Sequence, residues 1–151
     1  FSSETKDDNK KKKTIVVEDV KNTEEPKSSY ILIAEDQIIN MKIVSQLLSK
    51  KGFNFVTANN GKEAVNSYKE HSEELDMVLM DVQMPEMDGL EATSEIRKIE
   101  GDSGKHIPII AMTAHAMKGD KEKFIASGMD DYLSKPVNPN ALFETIEKYM
   151  K

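Results

Sequence analysis

The stretch YILIA at residues 30–34 is an uninterrupted run of apolar side chains. Strands with one buried face alternate apolar and polar residues, whereas continuous apolar strands are typical of parallel sheets buried on both faces. The next segment, residues 38–48, instead repeats its apolar residues at helical spacing, and Gly52 follows as a typical helix-ending glycine. A buried strand followed by a helix predicts the first unit of an α/β fold.

Four further strand–helix pairs follow along the chain. The strands are predicted at residues 53–58, 75–80, 107–112 and 132–134, and the helices at 62–70, 88–100, 115–127 and 139–151. Asp88 followed by Glu91 forms a capping box, which is typical of a helix start. Asn138 before Pro139 indicates another helix start. Five strands separated by helices predict a parallel sheet covered on both faces.

The first 29 residues differ in composition from the rest. They contain seven acidic and seven basic residues and no sustained apolar period, which is typical of a flexible charged linker. We therefore expect a linker at residues 1–29 and one folded domain at residues 30–151, which carries the whole net charge of −6. For the lysine run at residues 10–13, a targeting or anion-binding patch is the alternative interpretation.

Composition disfavours several classes of function. The chain has no cysteine, so it forms no disulfide and holds no metal through thiolates. It has no apolar run of membrane-spanning length and no signal-peptide pattern, so we expect an intracellular, cytoplasmic fragment without direct membrane contact. An acidic domain without a basic stripe is a poor binder of nucleic acid. The first residue is Phe1 instead of Met, which predicts a piece excised from a longer protein.

Chemically useful side chains stand where the predicted strands end. They are Glu35 and Asp36 after the first strand, Asp81 after the third, Thr113 after the fourth and Lys135 after the fifth. Because the carboxyl ends of parallel strands meet at one edge of the sheet, where ligands bind, we expect these side chains to share one pocket. Asp36 is also expected to cap the helix that follows it. Taken alone, Asp81 is compatible with a loop or capping carboxylate, so its prediction depends on the other four positions.

Three carboxylates in one pocket repel one another and need a compensating charge. A divalent cation together with the ammonium of Lys135 supplies it. Mg²⁺ suits such a pocket because it binds few protein carboxylates, keeps several waters and leaves room for phosphoryl oxygens. A carboxylate beside that ion can attack a phosphoryl group and form an acyl phosphate, which requires mainly positioning and charge neutralisation. The pattern predicts a Mg²⁺-dependent phosphoacceptor site.

Four blocks of sequence, placed in order at the ends of alternate elements, strongly resemble the receiver domain of two-component phosphorelays. They are ED at residues 35–36, MDVQMPEMDG at 80–89, MTAHAM at 112–117 and GMDDYLSKP at 128–136. The resemblance covers residues 30–151 and is strongest to the C-terminal receivers of hybrid sensor histidine kinases. It implies a flavodoxin-like, doubly wound (βα)5 fold with strand order 2-1-3-4-5.

The resemblance also implies how the acidic residues act. Asp81 is expected to be the phosphorylated residue. Asp36 and Asp81 are expected to bind Mg²⁺ through their side chains, Gln83 through its backbone carbonyl and Glu35 through a water molecule. Many receivers carry Asp where this chain has Glu35, so the reach of this side chain to the metal differs from theirs. Gln83 stands at a variable position of the family near the phosphoryl group.

Other residues match the positions at which members of the family contact the phosphoryl group or respond to it. Thr113 and Lys135 are expected to contact that group, and Tyr132 is expected to swing inward when Thr113 moves. The Lys135–Pro136 peptide bond is expected to be cis, which only an X–Pro bond adopts at low cost.

The implied partners are a histidine kinase domain, a histidine phosphotransfer protein or both, and the implied parent protein is a hybrid histidine kinase. A phosphohydrolase with an aspartyl-phosphate intermediate is the enzymatic alternative. Such enzymes carry a second Asp two residues after the nucleophile, where this chain has Gln83. A receiver that only docks partners is a further alternative, and Mg²⁺ titration separates it because docking requires no metal.

Overall fold

A computed structural model describes residues 29–114 and 118–150 of the chain. The predicted linker lies outside these residues except for Ser29, so the boundary between linker and domain stays a prediction. The described part contains the following elements in chain order: β1 (Tyr30–Ala34), α1 (Ile38–Lys50), β2 (Asn54–Ala58), α2 (Gly61–His71), β3 (Met77–Asp81), α3 (Gly89–Glu100), β4 (Ile109–Thr113), α4 (Lys118–Ser127), β5 (Asp131–Ser134) and α5 (Pro139–Tyr149).

The five strands form one sheet in the order β2-β1-β3-β4-β5, and every pair of neighbours is parallel. Helices α1 and α5 cover one face of the sheet, and α2, α3 and α4 cover the other. This arrangement confirms the predicted doubly wound α/β fold and its strand order.

Strand β1 shows why the sequence has continuous apolar runs. Ile31 and Ile33 pack under α1 and α5, whereas Leu32 and Ala34 pack under α2 and α3, and all four residues are fully buried. Successive side chains of a strand point to opposite faces, so a strand covered on both faces needs an apolar residue at every position.

The third and fourth predicted strands each start two residues and end one residue too early. Strand β3 starts at Met77 and includes Asp81, and β4 starts at Ile109 and includes Thr113. The late start of β4 has a local cause, because the amide of Ile107 donates to the carboxylate of Glu100 at 2.6 Å instead of to a neighbouring strand. The predicted start of the fourth helix at residues 115–117 lies outside the described residues.

Side-chain caps start three helices. The Asp88 carboxylate accepts from the amide of Glu91 at 2.9 Å, and the Asn138 side chain accepts from the third residue of α5 at 3.1 Å, which confirms both predicted starts. Asn60 caps α2 in the same way. The expected cap by Asp36 is wrong, because the N-cap of α1 is Gln37 and its side chain makes no capping hydrogen bond.

Among the described helices, none combines the length and the apolar character needed to cross a lipid bilayer.

Candidate functional site

Side chains from four parallel strands meet at the carboxyl edge of the sheet. Glu35 and Asp36 directly follow β1, and Asp81 is the last residue of β3. Each of these three residues offers one carboxylate oxygen, and the three oxygens lie within 4.8 Å of one another. Glu35 and Asp81 are buried and Asp36 is half-buried. The parallel register therefore brings together the acidic residues that the sequence places 45 positions apart.

Lys135 joins this acidic group from the end of β5. Its Nζ lies 2.9 Å from Oε1 of Glu35 and 3.0 Å from Oδ1 of Asp81. The two carboxylate side chains are 0% and 4% exposed, and that of Lys135 is 16% exposed. One ammonium thus bridges two buried carboxylates, and the cluster of three acidic residues keeps an excess of negative charge.

The pKa of Asp81 is raised from its ordinary value of 3.8 to about 7, and burial is the largest cause. The contact with Lys135 lowers this pKa and the negative charge of Glu35 raises it, and both effects are included in that value. Burial lowers the pKa of Lys135, but its contacts with Glu35 and Asp81 together outweigh burial and leave that pKa above its ordinary value. Lys135 is therefore the fixed cation of the cluster and Asp81 is its readily protonated member.

The carboxylate of Glu35 shows that the cluster suits a cation. Its Oε2 accepts from the amide of Gln37 at 3.1 Å. Its Oε1 is buried and has the ionic contact with Lys135, but within the described residues it has no partner at hydrogen-bonding geometry. A buried oxygen with spare acceptor capacity, beside two further carboxylates, is the kind of donor set that Mg²⁺ or its waters prefer. The residues present therefore fit a hard divalent cation.

The loop between β3 and α3 continues the site beyond Asp81. The amide of Gln83 donates to Oδ1 of Asp81 at 3.2 Å, so this loop begins by folding back onto the acidic group. The amide of Gly89 donates to the carbonyl of Val82 at 2.9 Å and closes the neck of the loop. A Cβ on Gly89 would overlap the carbonyl oxygen of Asp81, so helix α3 can begin this close to Asp81 only with glycine.

The remaining predicted residues lie on or directly after β4 and β5. Thr113 is buried at the end of β4, and its carbonyl accepts from the amide of Lys135 at 2.8 Å. Tyr132 is half-buried and packs among the side chains under α2, α3 and α4, with its ring centroid 6.2 Å from that of Phe124. The Lys135–Pro136 peptide bond is cis.

Sequence reasoning assigned no role to the glycines of this edge, Gly61 and Gly89. Each stands directly before a helical pattern, and Gly89 also ends the block at residues 80–89 that carries part of the family resemblance.

The sequence profile of the response regulator receiver domain matches residues 31–147. A hybrid signal transduction histidine kinase of Dictyostelium discoideum is 54% identical to this chain over 119 residues, which are 77% of the chain. The chain spans only 7% of the length of that relative.

Two solved structures share the fold and much of the sequence. One is the receiver domain of a response regulator from Saccharomyces cerevisiae, crystallised with its histidine phosphotransfer protein. It has a TM-score of 0.77 and 37% identity, and the match covers 82% of this chain and 89% of that one. The other is the receiver domain of a sensor histidine kinase from Pseudomonas aeruginosa, which has a magnesium ion coordinated in its active-site cleft. It has a TM-score of 0.73 and 34% identity, with coverages of 82% and 98%.

Proposed function

Because the chain belongs to the family of response regulator receiver domains, which are phosphoacceptors of two-component signalling, we propose that its Asp81 accepts the phosphoryl group from a phosphohistidine. The observation that carries this assignment is the contact of Asp81 with Lys135 inside the acidic cluster. Asp81 is the only carboxylate of the three that ends a central strand, and β3 lies in the middle of the sheet. It therefore occupies the fixed centre of the site.

The proposed metal is Mg²⁺. The carboxylates of Asp36 and Asp81 and the backbone carbonyl of Gln83 would hold it, and Glu35 would act through a water molecule. The spacing of the three carboxylates supports this assignment, since one oxygen from each lies within 4.8 Å of the others. When bound, such an ion would supply positive charge that neutralises the phosphoryl oxygens.

The protein's own residues supply the rest of the chemistry. A carboxylate oxygen of Asp81 forms a bond to phosphorus while the bond between phosphorus and the donor histidine nitrogen breaks. Lys135, already within 3.0 Å of Asp81, pairs with an oxygen of the arriving group. The hydroxyl of Thr113 donates to another oxygen. The movement of Thr113 makes room for Tyr132 to turn inward, which shifts the balance between two existing conformations.

The proposed phosphodonor is a histidine phosphotransfer protein or the histidine-bearing domain of a kinase. Helix α1 begins two residues after Asp36 and exposes three isoleucines, Ile38, Ile39 and Ile43, which are 75%, 73% and 41% exposed. An apolar patch beside the acceptor suits a partner helix that must bring its histidine close to Asp81. The complex of the yeast relative with a histidine phosphotransfer protein supports this choice of partner. The parent protein in this proposal is a hybrid histidine kinase.

The test is exposure of the purified chain to Mg²⁺ and acetyl phosphate, followed by intact-mass measurement. The wild-type chain should gain one phosphoryl group, and Asp81→Asn should gain none. Asp102→Asn is the matched control, because Asp102 is an exposed carboxylate in the loop that leads into the opposite end of β4. An adduct that persists in Asp81→Asn, or its absence from the wild type, contradicts the assignment.

A further inference from the structure

The connection between β2 and α2 touches both sides of the acidic cluster. At one end, the carbonyl of Ala58 accepts from the amide of Glu35 at 3.0 Å. At the other end, the amide of Gly61 donates to the carbonyl of Met87 at 2.9 Å, in the loop between β3 and α3. A short stretch of backbone, residues 58–61, therefore links the strand end that carries Glu35 to the loop that follows Asp81.

Position 61 requires glycine because there is no room for a Cβ atom. A Cβ at this position would overlap the carbonyl oxygen of Met87 and would lie 2.7 Å from its carbonyl carbon and 2.9 Å from its Cβ. Two of these three atoms are backbone atoms, which cannot move aside as the tip of a side chain can. The backbone angle φ of Gly61 is not positive, so conformation alone would accept alanine. The requirement for glycine is the close approach of two backbones.

The position of Met87 affects the path of the loop between β3 and α3. The hydrogen bond between Val82 and Gly89 closes the neck of the loop. Between Gln83 and Met87 the chain makes a tight turn, in which the amide of Met87 donates to the carbonyl of Pro85 at 2.7 Å. The residue inside this turn, Glu86, has a positive φ of 68°. A loop held at its neck and at one further point has few ways to move. Displacing Met87 therefore changes the position of the segment that begins at Gln83.

We infer that Gly61 is a positioning residue for the Mg²⁺ site, which sets the place of the Gln83 carbonyl by holding Met87 against the start of α2. This inference rests on the proposed function, since it assigns Gly61 to the metal site proposed above. Gly61 acts through the backbone of the loop and does not touch the metal. Residues that orient metal ligands typically affect metal affinity by about 10- to 100-fold.

The experiment compares three variants with the wild type in calorimetric titrations with Mg²⁺. Gly61→Ala should weaken Mg²⁺ binding by about 10- to 100-fold. Gly119→Ala adds the same methyl group to α4, where a Cβ meets nothing within 4 Å, and should bind Mg²⁺ like the wild type. Asn60→Ala removes the cap in which the Asn60 side chain accepts from the amide of Glu63, so it weakens the same helix end without pushing on Met87. It should lose stability but keep wild-type affinity.

The outcomes distinguish failure of the proposed function from failure of the inference about Gly61. A wild-type chain that binds no Mg²⁺ contradicts the proposed function and this inference with it. A wild type that binds Mg²⁺ while Gly61→Ala binds equally well overturns the inference alone. Equal losses of affinity in Gly61→Ala and Asn60→Ala also overturn it, because they indicate general loosening of α2.

Hydrogen exchange in the wild type decides the matter if Gly61→Ala does not fold. Coupling between two sites is reciprocal, so an anchor that strengthens Mg²⁺ binding must itself be strengthened by Mg²⁺ by the same factor. The amide of Gly61 should therefore exchange about 10- to 100-fold more slowly when Mg²⁺ is bound. An exchange rate of this amide that Mg²⁺ leaves unchanged contradicts the inference.

Discussion

The ammonium nitrogen of Lys135 lies 3.0 Å from Oδ1 of Asp81, although the two residues come from strands separated by β4. The same nitrogen contacts Glu35 at 2.9 Å. The ammonium of Lys135 neutralises part of the charge of two buried carboxylates, and the proposed Mg²⁺ would neutralise the same charge. In the proposed site Mg²⁺ and Lys135 therefore share a task, and removing one should increase the dependence of the fold on the other.

Lys135→Met tests this shared task. Removing one partner of a buried ion pair leaves an uncompensated charge, so the variant should lose about 3 kcal/mol of unfolding free energy in metal-free buffer at pH 8. Saturating Mg²⁺ should then stabilise the variant more than the wild type in chemical denaturation. Phosphorylation by acetyl phosphate should be slowed, because Lys135 also pairs with the phosphoryl group in the proposed reaction.

The control for this variant is Lys148→Met. Lys148 is 65% exposed and its Nζ lies 3.4 Å from the carboxylate of Asp131, so this surface pair should contribute less than about 1 kcal/mol. If Mg²⁺ stabilises Lys135→Met no more than it stabilises the wild type, the two cations do not share the carboxylates.

The raised pKa of Asp81 predicts a pH dependence of stability in metal-free buffer. The folded chain holds the proton of Asp81 more tightly than the unfolded chain, because its pKa rises from 3.8 to about 7 on folding. The stability that this proton contributes is present in full below about pH 4 and is lost as the pH rises through 7. Asp81→Asn keeps the shape of the side chain and stays neutral at every pH.

Stability measured from pH 4 to pH 8 should therefore diverge between wild type and Asp81→Asn. The variant should gain on the wild type as the pH rises, by up to about 4 kcal/mol between pH 4 and pH 8. Parallel pH profiles of the two chains would show that Asp81 titrates in the folded state as it does in the unfolded state.

Local sequence pattern was sufficient to predict a parallel sheet covered by helices on both faces, whereas the strand order 2-1-3-4-5 came from the family resemblance. The apolar run at residues 30–34 indicated a strand buried on both faces, and Asp88 and Asn138 marked helix starts that the structure confirms. These signals succeed because strand burial and helix capping depend on residues within a few positions of one another. The acidic site followed from the same logic, since parallel strands bring their carboxyl ends to one edge.

The local sequence pattern did not predict contacts between segments that are distant in the chain. The approach of Gly61 to Met87 depends on how α2 lies against the next loop, and no periodic pattern encodes it. The predicted start of β4 was wrong because the amide of Ile107 donates to the buried carboxylate of Glu100. This hydrogen bond depends on how Glu100 packs in the folded chain, which the sequence pattern does not show. For Glu35 and Lys135 the sequence predicted a shared pocket, but not their direct contact at 2.9 Å.

A second ion-pair network, at the opposite edge of the sheet, should affect stability but not the metal site. Arg97 donates to the carbonyls of Gly128 and Ile107, to Glu100 at 2.8 Å and to Asp130 at 2.9 Å. Arg97→Met would leave the buried carboxylate of Glu100 without its cation, and should cost about 3–5 kcal/mol in chemical denaturation. Mg²⁺ affinity should stay at the wild-type value, because these residues lie at the amino ends of β4 and β5.

The double variant Arg97→Met with Glu100→Gln is the control for this prediction. The change from glutamate to glutamine removes the unpaired charge and keeps an oxygen that can accept from the amide of Ile107, so it should recover part of the loss. If the double variant is no more stable than Arg97→Met, the cost comes from lost packing of the arginine and not from the stranded charge.

The exposed isoleucines of α1 give a prediction that separates partner docking from chemistry. Ile39→Glu places a charge on the apolar patch next to the proposed acceptor, Asp81, at a position that is 73% exposed and therefore tolerant of the change in the folded chain. Phosphoryl transfer from the phosphorylated yeast histidine phosphotransfer protein should be slowed about tenfold or more, the effect of losing about 1.4 kcal/mol of association energy. Phosphorylation by acetyl phosphate should be unchanged, because the small donor needs no docking surface.

Ile99→Glu is the matched control, since Ile99 is an exposed isoleucine of α3, on the other face of the sheet. It should leave both reactions at wild-type rates. Equal slowing of protein-to-protein transfer by Ile39→Glu and Ile99→Glu would remove α1 as the docking surface, and slower reaction of Ile39→Glu with acetyl phosphate would indicate damage to the acceptor site. Selective loss of transfer from the protein donor, with the control unaffected, is the result expected if the α1 patch guides the partner's histidine to Asp81.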